Sequence, residues 1–240
     1  MKTSAPKPAA KGRVLVSDDH PFLRLGLSML LNRQSDLCCC GEADSVAGTR
    51  KLVGELKPDL LLLDLFLGDG DGLELIKSLR AQHPATQILV ISQLDEAVYA
   101  ERALRAGACG YVMKEQPPEE VLAALRAVLA GELYVSRKMA AAMLRKMIQT
   151  KAEARGTGVE CLTDRELQVF RSLGTGLTTR QIAAELNLSF KTIETYRENI
   201  KHKLALTDAP ALVRMATEWV QSSTAMPTRK DLPAAKRARR

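Results

Sequence analysis

The sequence predicts an α/β doubly wound fold built on a five-stranded parallel sheet, followed by a small all-α domain. Three observations carry this expectation. Between residues 12 and 132, short apolar runs alternate five times with segments of helical period. The runs are continuously apolar rather than alternating, as in a sheet covered by helices on both faces. Beyond residue 160 the strand-like runs stop and only helical spacing remains.

Taken in order, residues 1–11 read as a disordered N-terminus containing Lys and Pro. Arg13–Ser17 is a short strand that closes on Asp18 and Asp19. From His20 to Asn32, residues Phe22, Leu23, Leu27, Leu30 and Leu31 recur at helical spacing. Leu37–Gly41 is the second strand, and Asp44 or Ser45 caps a helix that Lys57-Pro58 ends. Leu60–Leu63 is the third strand, four leucines stopping at Asp64. Gly68, Gly70 and Gly72 form a loop, and a helix from Leu73 ends before Pro84. Gln87–Ser92 is the fourth strand, and Glu96–Ala106 a helix with Gly107 at its end. Cys109–Met113 is the fifth strand, and Pro117-Pro118 opens a helix stopped by Gly131. Residues 133–160 read as a linker carrying a helix from Ser136 to about Thr150, with a hinge at Arg155–Gly158. Residues 161–222 form the helical domain, and 223–240 a basic disordered tail.

Composition narrows the partners. The 240 residues carry a net charge of +7, and the tail contributes Arg229, Lys230, Lys236, Arg237, Arg239 and Arg240. Such asymmetry fits a domain that meets nucleic acid. The five cysteines, Cys38, Cys39, Cys40, Cys109 and Cys161, include no CxxC pair and read as reduced, buried small hydrophobes. No apolar run approaches the ~18 residues that span a membrane, and no secretory h-region is present. The expected location is the cytoplasm.

The polar residues at the strand ends carry the chemistry. Asp18 and Asp19 follow strand one, Asp64 ends strand three, Ser92 ends strand four, and Lys114 follows strand five. With strand order 2-1-3-4-5, strands one and three are neighbours at the switch point, where ligands bind. Three carboxylates in one crevice repel and call for a cation. Oxygen ligands, with no His or Cys counted among them, point to Mg²⁺. Lys114 neutralises, and a phosphoryl group on Asp64 would be stabilised by the cation, Lys114 and the Ser92 hydroxyl.

With Tyr111 three residues before Lys114, this set resembles the receiver domain of two-component response regulators, a flavodoxin-like fold, over residues 12–132. The resemblance implies that Asp64 takes phosphate from a sensor histidine kinase. It implies that Asp19, Asp64 and the backbone carbonyl of Phe66 hold Mg²⁺ with help from Asp18. It further implies that Ser92 senses the phosphoryl group and that Tyr111 turns inward in response. One departure is Leu67-Gly68, where the family often has Met-Pro. Gly loosens a loop that Pro would stiffen.

In the helical domain, Thr163 with Glu166 spells a capping box, Thr178 or Thr179 caps a second helix, and Ser189 caps a third. On the third, Ile193, Arg197, Ile200 and Leu204 share the inward face, with Arg197 at its edge. The opposite face carries Lys191, Thr192, Glu194, Thr195, Glu198 and Lys201. This is a helix-turn-helix pattern whose last helix enters the major groove. The strings Leu162–Glu166, Gly176–Ala183 and Ser189–Arg197 resemble the LuxR-type DNA-binding domain, and with a receiver they are similar to the NarL/FixJ family of response regulators. In that family the fourth helix, Ala209 to about Val220, pairs two copies on DNA, which implies dimerisation through Leu212, Met215, Ala216 and Trp219; an alternative is that they complete the monomer core.

The expected function is a non-enzymatic transcriptional regulator. Phosphorylation of Asp64 lets a homodimer bind paired DNA half-sites, and RNA polymerase is a further partner such a protein can have. The alternative is a phosphorylation-independent transcription factor that uses its receiver as a dimerisation module. A phosphatase is disfavoured, because the position two residues past Asp64, where a general acid belongs, is Phe66.

Overall fold

A computed structural model describes residues 11–68, 70–148, 158–186 and 188–224. The expected N-terminal and C-terminal disorder, and most of the 155–158 hinge, lie outside them. Strands β1 (Gly12–Ser17), β2 (Leu37–Ala43), β3 (Leu60–Leu63), β6 (Gln87–Ser92) and β7 (Gly110–Met113) form one sheet in the order β2-β1-β3-β6-β7. Every pair in it is parallel. This is the doubly wound fold that the sequence predicts.

Alternation along each strand divides the core into two layers. Leu15, Leu61, Leu63, Ile88, Val90 and Tyr111 point to one face. There α2 (Val46–Leu56), α3 (Gly72–Gln82) and α4 (Glu96–Ala106) cover them. Val14, Val16, Leu60, Leu62, Leu89 and Ile91 point to the other face, under α1 (Pro21–Asn32) and α5 (Pro118–Leu129). All four β3 leucines are fully buried. At roughly 2 kcal/mol per buried leucine, this central strand is a rigid mount for whatever follows it.

Two features have no counterpart in the sequence pattern. The loop after Asp64 contains a two-residue hairpin, β4 (Phe66–Leu67) with β5 (Gly70–Asp71). The glycine at 72 follows from packing, since a Cβ there would stand 2.6 Å from the Leu65 carbonyl oxygen. The chain after α5 also returns to the sheet edge, where Tyr134 bridges Gly110 and its backbone carbonyl accepts from the Tyr111 amide at 2.8 Å. Helix α6 (Arg137–Ile148) then packs on α4.

The helical domain contains α7 (Asp164–Gly174), α8 (Thr179–Glu185), α9 (Phe190–Lys203) and α10 (Ala209–Thr224). The caps fall on Thr163, Thr178 and Ser189, and the first two form capping boxes with Glu166 and Gln181. Helices α7 and α10 cross closely at Gly174, where a Cβ would collide with the Ala216 carbonyl oxygen. The cysteines are free and half-buried, less deep than the sequence predicts.

Candidate acidic site and nucleic-acid interface

Asp18, Asp64 and Lys114 converge from the carboxyl ends of β1, β3 and β7. The side chains of Asp18 and Asp64 are 0% and 3% exposed. Lys114 Nζ lies 2.7 Å from Asp18 Oδ2 and 2.6 Å from Asp64 Oδ2. Burial pushes the Asp64 carboxyl up, against the pull of Lys114. Burial alone would lower Lys114, but Asp64 and Asp18 outweigh it and hold the ammonium above the usual lysine range. The lysine is thus a fixed positive charge between two buried carboxyls.

Asp18 Oδ2 and Asp19 Oδ1 are buried without a hydrogen bond, although Lys114 ion-pairs with the former. One expectation from the sequence is corrected here. A histidine does join the oxygen donors: His20 Nδ1 stands 2.7 Å from Asp19 Oδ1 and 3.1 Å from Asp18 Oδ1. Potential ligand atoms of Asp18, Asp19, His20 and Asp64 all lie within 4.8 Å of one another. The cause is local: His20 is the N-cap residue of α1, so the turn that leaves β1 folds its ring back over the two aspartates.

Phe66 follows in the hairpin, and its backbone pulls the Asp64 carboxyl down slightly against burial. Leu67 is buried, and Gly68 has no left-handed backbone. A Cβ at Gly68 would lie 4.0 Å from Asp19 Oδ2, an ordinary contact. No steric demand therefore explains the glycine.

Ser92 is buried at the end of β6, and its Oγ accepts from the Leu94 amide at 3.3 Å. Tyr111 is fully inside, its hydroxyl donating to the Leu94 carbonyl at 2.8 Å. Burial holds this phenol well above its usual range. Ser92 and Tyr111 therefore meet at the β6–α4 loop.

That loop and its neighbours face the helical domain. Arg102 on α4 donates to Asp164 Oδ1 at 2.9 Å and to the Leu162 carbonyl at 2.7 Å. Lys77 on α3 reaches Asp164 at 3.3 Å, and Arg165 reaches Asp71 at 3.5 Å. The Arg171 guanidinium lies 3.1 Å from the centre of the Phe66 ring, two residues from Asp64. Trp219 of α10 packs between Tyr99 of α4 and Phe170 of α7, at 6.5 and 5.7 Å. Burial pushes the Tyr99 phenol up to about 12. Apart from Phe66 and Trp219, which the sequence marks for other roles, none of these cross-domain partners stands out in the sequence. The hydrogen bonds of Arg102 and Lys77 alone reach across 58 to 87 positions, with no local pattern to mark them.

Helix α9 presents its outer face away from this seam. Lys191, Thr195 and Glu198 are exposed, while Thr192, Glu194 and Lys201 are half-exposed. Glu194 pairs with Arg197 at 3.4 Å, and Lys201 with Glu198 at 2.8 Å. Ile193 and Ile200 are fully buried, as the inward face requires. Arg197 sits at the edge, donating to the Thr179 hydroxyl. On α10, Leu212 and Ala216 are fully buried in the domain core, while Met215 and Trp219 are half-buried. In this arrangement Leu212 and Ala216 have no surface to offer a second copy. Val213, Arg214 and Glu218 are the exposed residues of the same stretch.

Comparison with known proteins agrees with both halves. Residues 14–126 match the response regulator receiver domain, and residues 160–216 match the bacterial regulatory proteins of the luxR family. The chain is 34% identical over 209 residues to the oxygen regulatory protein NreC of Staphylococcus aureus, covering 85% of this chain and 96% of that one. It superposes with a TM-score of 0.66 and 26% identity on RcsB from Salmonella enterica serovar Typhimurium bound to the promoter P1flhDC in the presence of phosphomimetic BeF3⁻. That match covers 87% of this chain and 100% of RcsB. A LuxR-family two-component response regulator from Aurantimonas sp. SI85-9A1 is 30% identical with a TM-score of 0.54, over 58% of this chain and 100% of its own.

Proposed function

The chain belongs to the response regulators that join a receiver to a LuxR-type DNA-binding domain, as in the NarL/FixJ family, and from that premise we propose that Asp64 is the phosphoryl acceptor controlling DNA binding. It is a transcription regulator of a two-component system, not an enzyme. The observation that carries the proposal is the convergence of Asp18, Asp64 and Lys114 at the sheet's switch point, with the lysine within 2.7 Å of both carboxyls. An Asp64 oxygen attacks phosphorus on the phosphohistidine of a sensor histidine kinase. The P–O bond forms as the P–N bond breaks, and the imidazole leaves. Lys114 holds its charge beside the incoming group throughout.

The donor set fits a divalent cation, since carboxylate oxygens of Asp18, Asp19 and Asp64 lie within 4.8 Å of one another. Asp19, Asp64 and the Phe66 carbonyl would hold Mg²⁺, with Asp18 assisting, and the ion would neutralise phosphoryl charge. Ser92 would then donate to the phosphoryl group, and Tyr111 would fix the new position of the β6–α4 loop. Because α4 and the β4–β5 hairpin hold α7 and α10, a shift at Ser92 and Phe66 loosens the seam. Trp219 and its neighbours on α10 then become free to pair two copies. Paired α9 helices read two half-sites, with Lys191, Thr192 and Lys201 on the backbone and Glu194, Thr195 and Glu198 toward base edges. RcsB, bound to promoter DNA in its solved structure, supports this reading by its likeness.

We take residues 12–132 as the receiver, 133–160 as the linker and 161–222 as the DNA-binding domain, acting in the cytoplasm; the family matches over residues 14–126 and 160–216 are consistent with this division. Phosphoryl uptake tests the assignment directly. With acetyl phosphate and Mg²⁺, intact-mass measurement should show one added phosphoryl group, absent in Asp64→Asn. Equal uptake by the variant would place the acceptor elsewhere.

A further inference from the structure

Resting on the DNA-reading role of α9 proposed above, we propose that Phe190 is a specificity-determining residue whose ring contacts the C5-methyl of a thymine in each half-site. Phe190 is the first residue of α9 and is 51% exposed. Among the described residues it is the one exposed large apolar side chain on that helix. Starting the helix does not require it. The Ser189 side chain supplies the cap by accepting from the Thr192 amide. Leu188 and Ile193, at the positions of a hydrophobic staple, join the domain core. Phe190 stands four residues before Glu194, so the two share a stripe of the helix. It also lies in the N-terminal part of the helix, which in a helix-turn-helix reaches the base edges. The polar side chains of the outer face are already engaged. Glu194 lies 3.4 Å from Arg197, and Glu198 2.8 Å from Lys201. The Thr195 hydroxyl donates to the Lys191 carbonyl at 3.0 Å and is spent within the helix. The first turn of α9 thus offers an exposed phenyl ring followed directly by the exposed Lys191. A lysine suits a phosphate, and a phenyl ring suits the thymine methyl, the apolar group on the major-groove edge.

Binding of the full-length protein to sites selected from random DNA, with acetyl phosphate and Mg²⁺ present throughout, tests it. The native chain should select a thymine at a fixed position of each half-site. Uracil there differs from thymine only by the lost methyl. It should weaken native binding about fourfold per half-site, the worth of one buried methyl. Phe190→Ala should bind thymine and uracil sites alike and no longer select thymine at that position. Its salt slope should match the native one, since no phosphate contact is lost. Phe190→Leu, which keeps apolar bulk, should retain part of the discrimination. Native binding indifferent to uracil at every selected thymine, or full discrimination in Phe190→Ala, overturns the role of Phe190 and leaves DNA reading by α9 standing. A Phe190→Ala defect confined to protein assembly, equal on thymine and uracil sites, also overturns it and assigns the ring to a protein contact. A native chain that selects no sequence overturns both readings.

Discussion

Replacing Lys114 by Met leaves Asp18 and Asp64 buried side by side without the ammonium that now bridges them. Breaking a buried pair in this way costs about 3 kcal/mol, so urea unfolding at neutral pH should show a loss of that order. Asp64→Asn should behave differently. Burial raises the Asp64 carboxyl, so the folded chain binds this proton more tightly than the unfolded chain. Its contribution therefore weakens stability as pH rises from the unfolded value, near 4, through the raised folded one. Above that window the penalty is constant, and Asp64→Asn removes it. The variant should be at least as stable as the native protein at neutral pH while losing phosphoryl uptake. A large loss of stability in Asp64→Asn would show that the carboxylate is kept for folding rather than for chemistry.

At the scale of elements, α7 opens on a doubly used carboxylate. Glu166 completes the capping box with Thr163 and accepts from Lys203 of α9 at 2.6 Å. Burial alone would raise Glu166, but Lys203 and Thr163 outweigh it and hold it below the usual range. Its stabilisation is thus present above the unfolded value and lost as pH falls through the folded one. Glu166→Gln should flatten the acid limb of the stability curve, and Thr163→Ala should cost about 1 kcal/mol. On α9, Lys191→Ala should weaken DNA binding across sequences and reduce the salt slope by about 1.

Caps such as Thr163, Thr178 and Ser189 were legible because the chemistry spans only three residues. The strand ends were legible too, since four leucines stopping at Asp64 are the pattern of a buried strand that surfaces in a crevice. The β4–β5 hairpin was not, because two-residue strands have no periodicity to read. Nor was the inward side of α10, where Leu212 and Ala216 fit a dimer face and a monomer core equally well until packing decides. His20 was adjacent to the acidic pair, but only the turn into α1 shows its ring above the carboxyls.

Across the whole molecule, the seam between α3–α4 and α7–α10 links Asp64 to the DNA-binding half. It joins a cross-domain ion pair, Arg102–Asp164, to an aromatic stack through Trp219. The pairing leaves the outer face of α9 exposed and confines part of α10, so under the proposed function control would fall on the pairing of copies more than on access to the reading helix. Trp219→Ala risks the α7–α10 core, whereas Arg102→Ala loosens the seam with less harm. Arg102→Ala should raise the dimer fraction and DNA affinity without a phosphodonor. Because coupling is reciprocal, it should also shift the phosphorylation equilibrium of Asp64 toward the phosphorylated form.

Phosphoryl transfer to Asp64 is proposed to control assembly on DNA. Sedimentation of the full-length protein with a paired-site DNA, with and without acetyl phosphate and Mg²⁺, measures it most directly, in the native chain and in Asp64→Asn. The predicted result is a shift from weakly bound monomer to tightly bound dimer in the native chain alone. An identical response in Asp64→Asn, or no response in either, would contradict it.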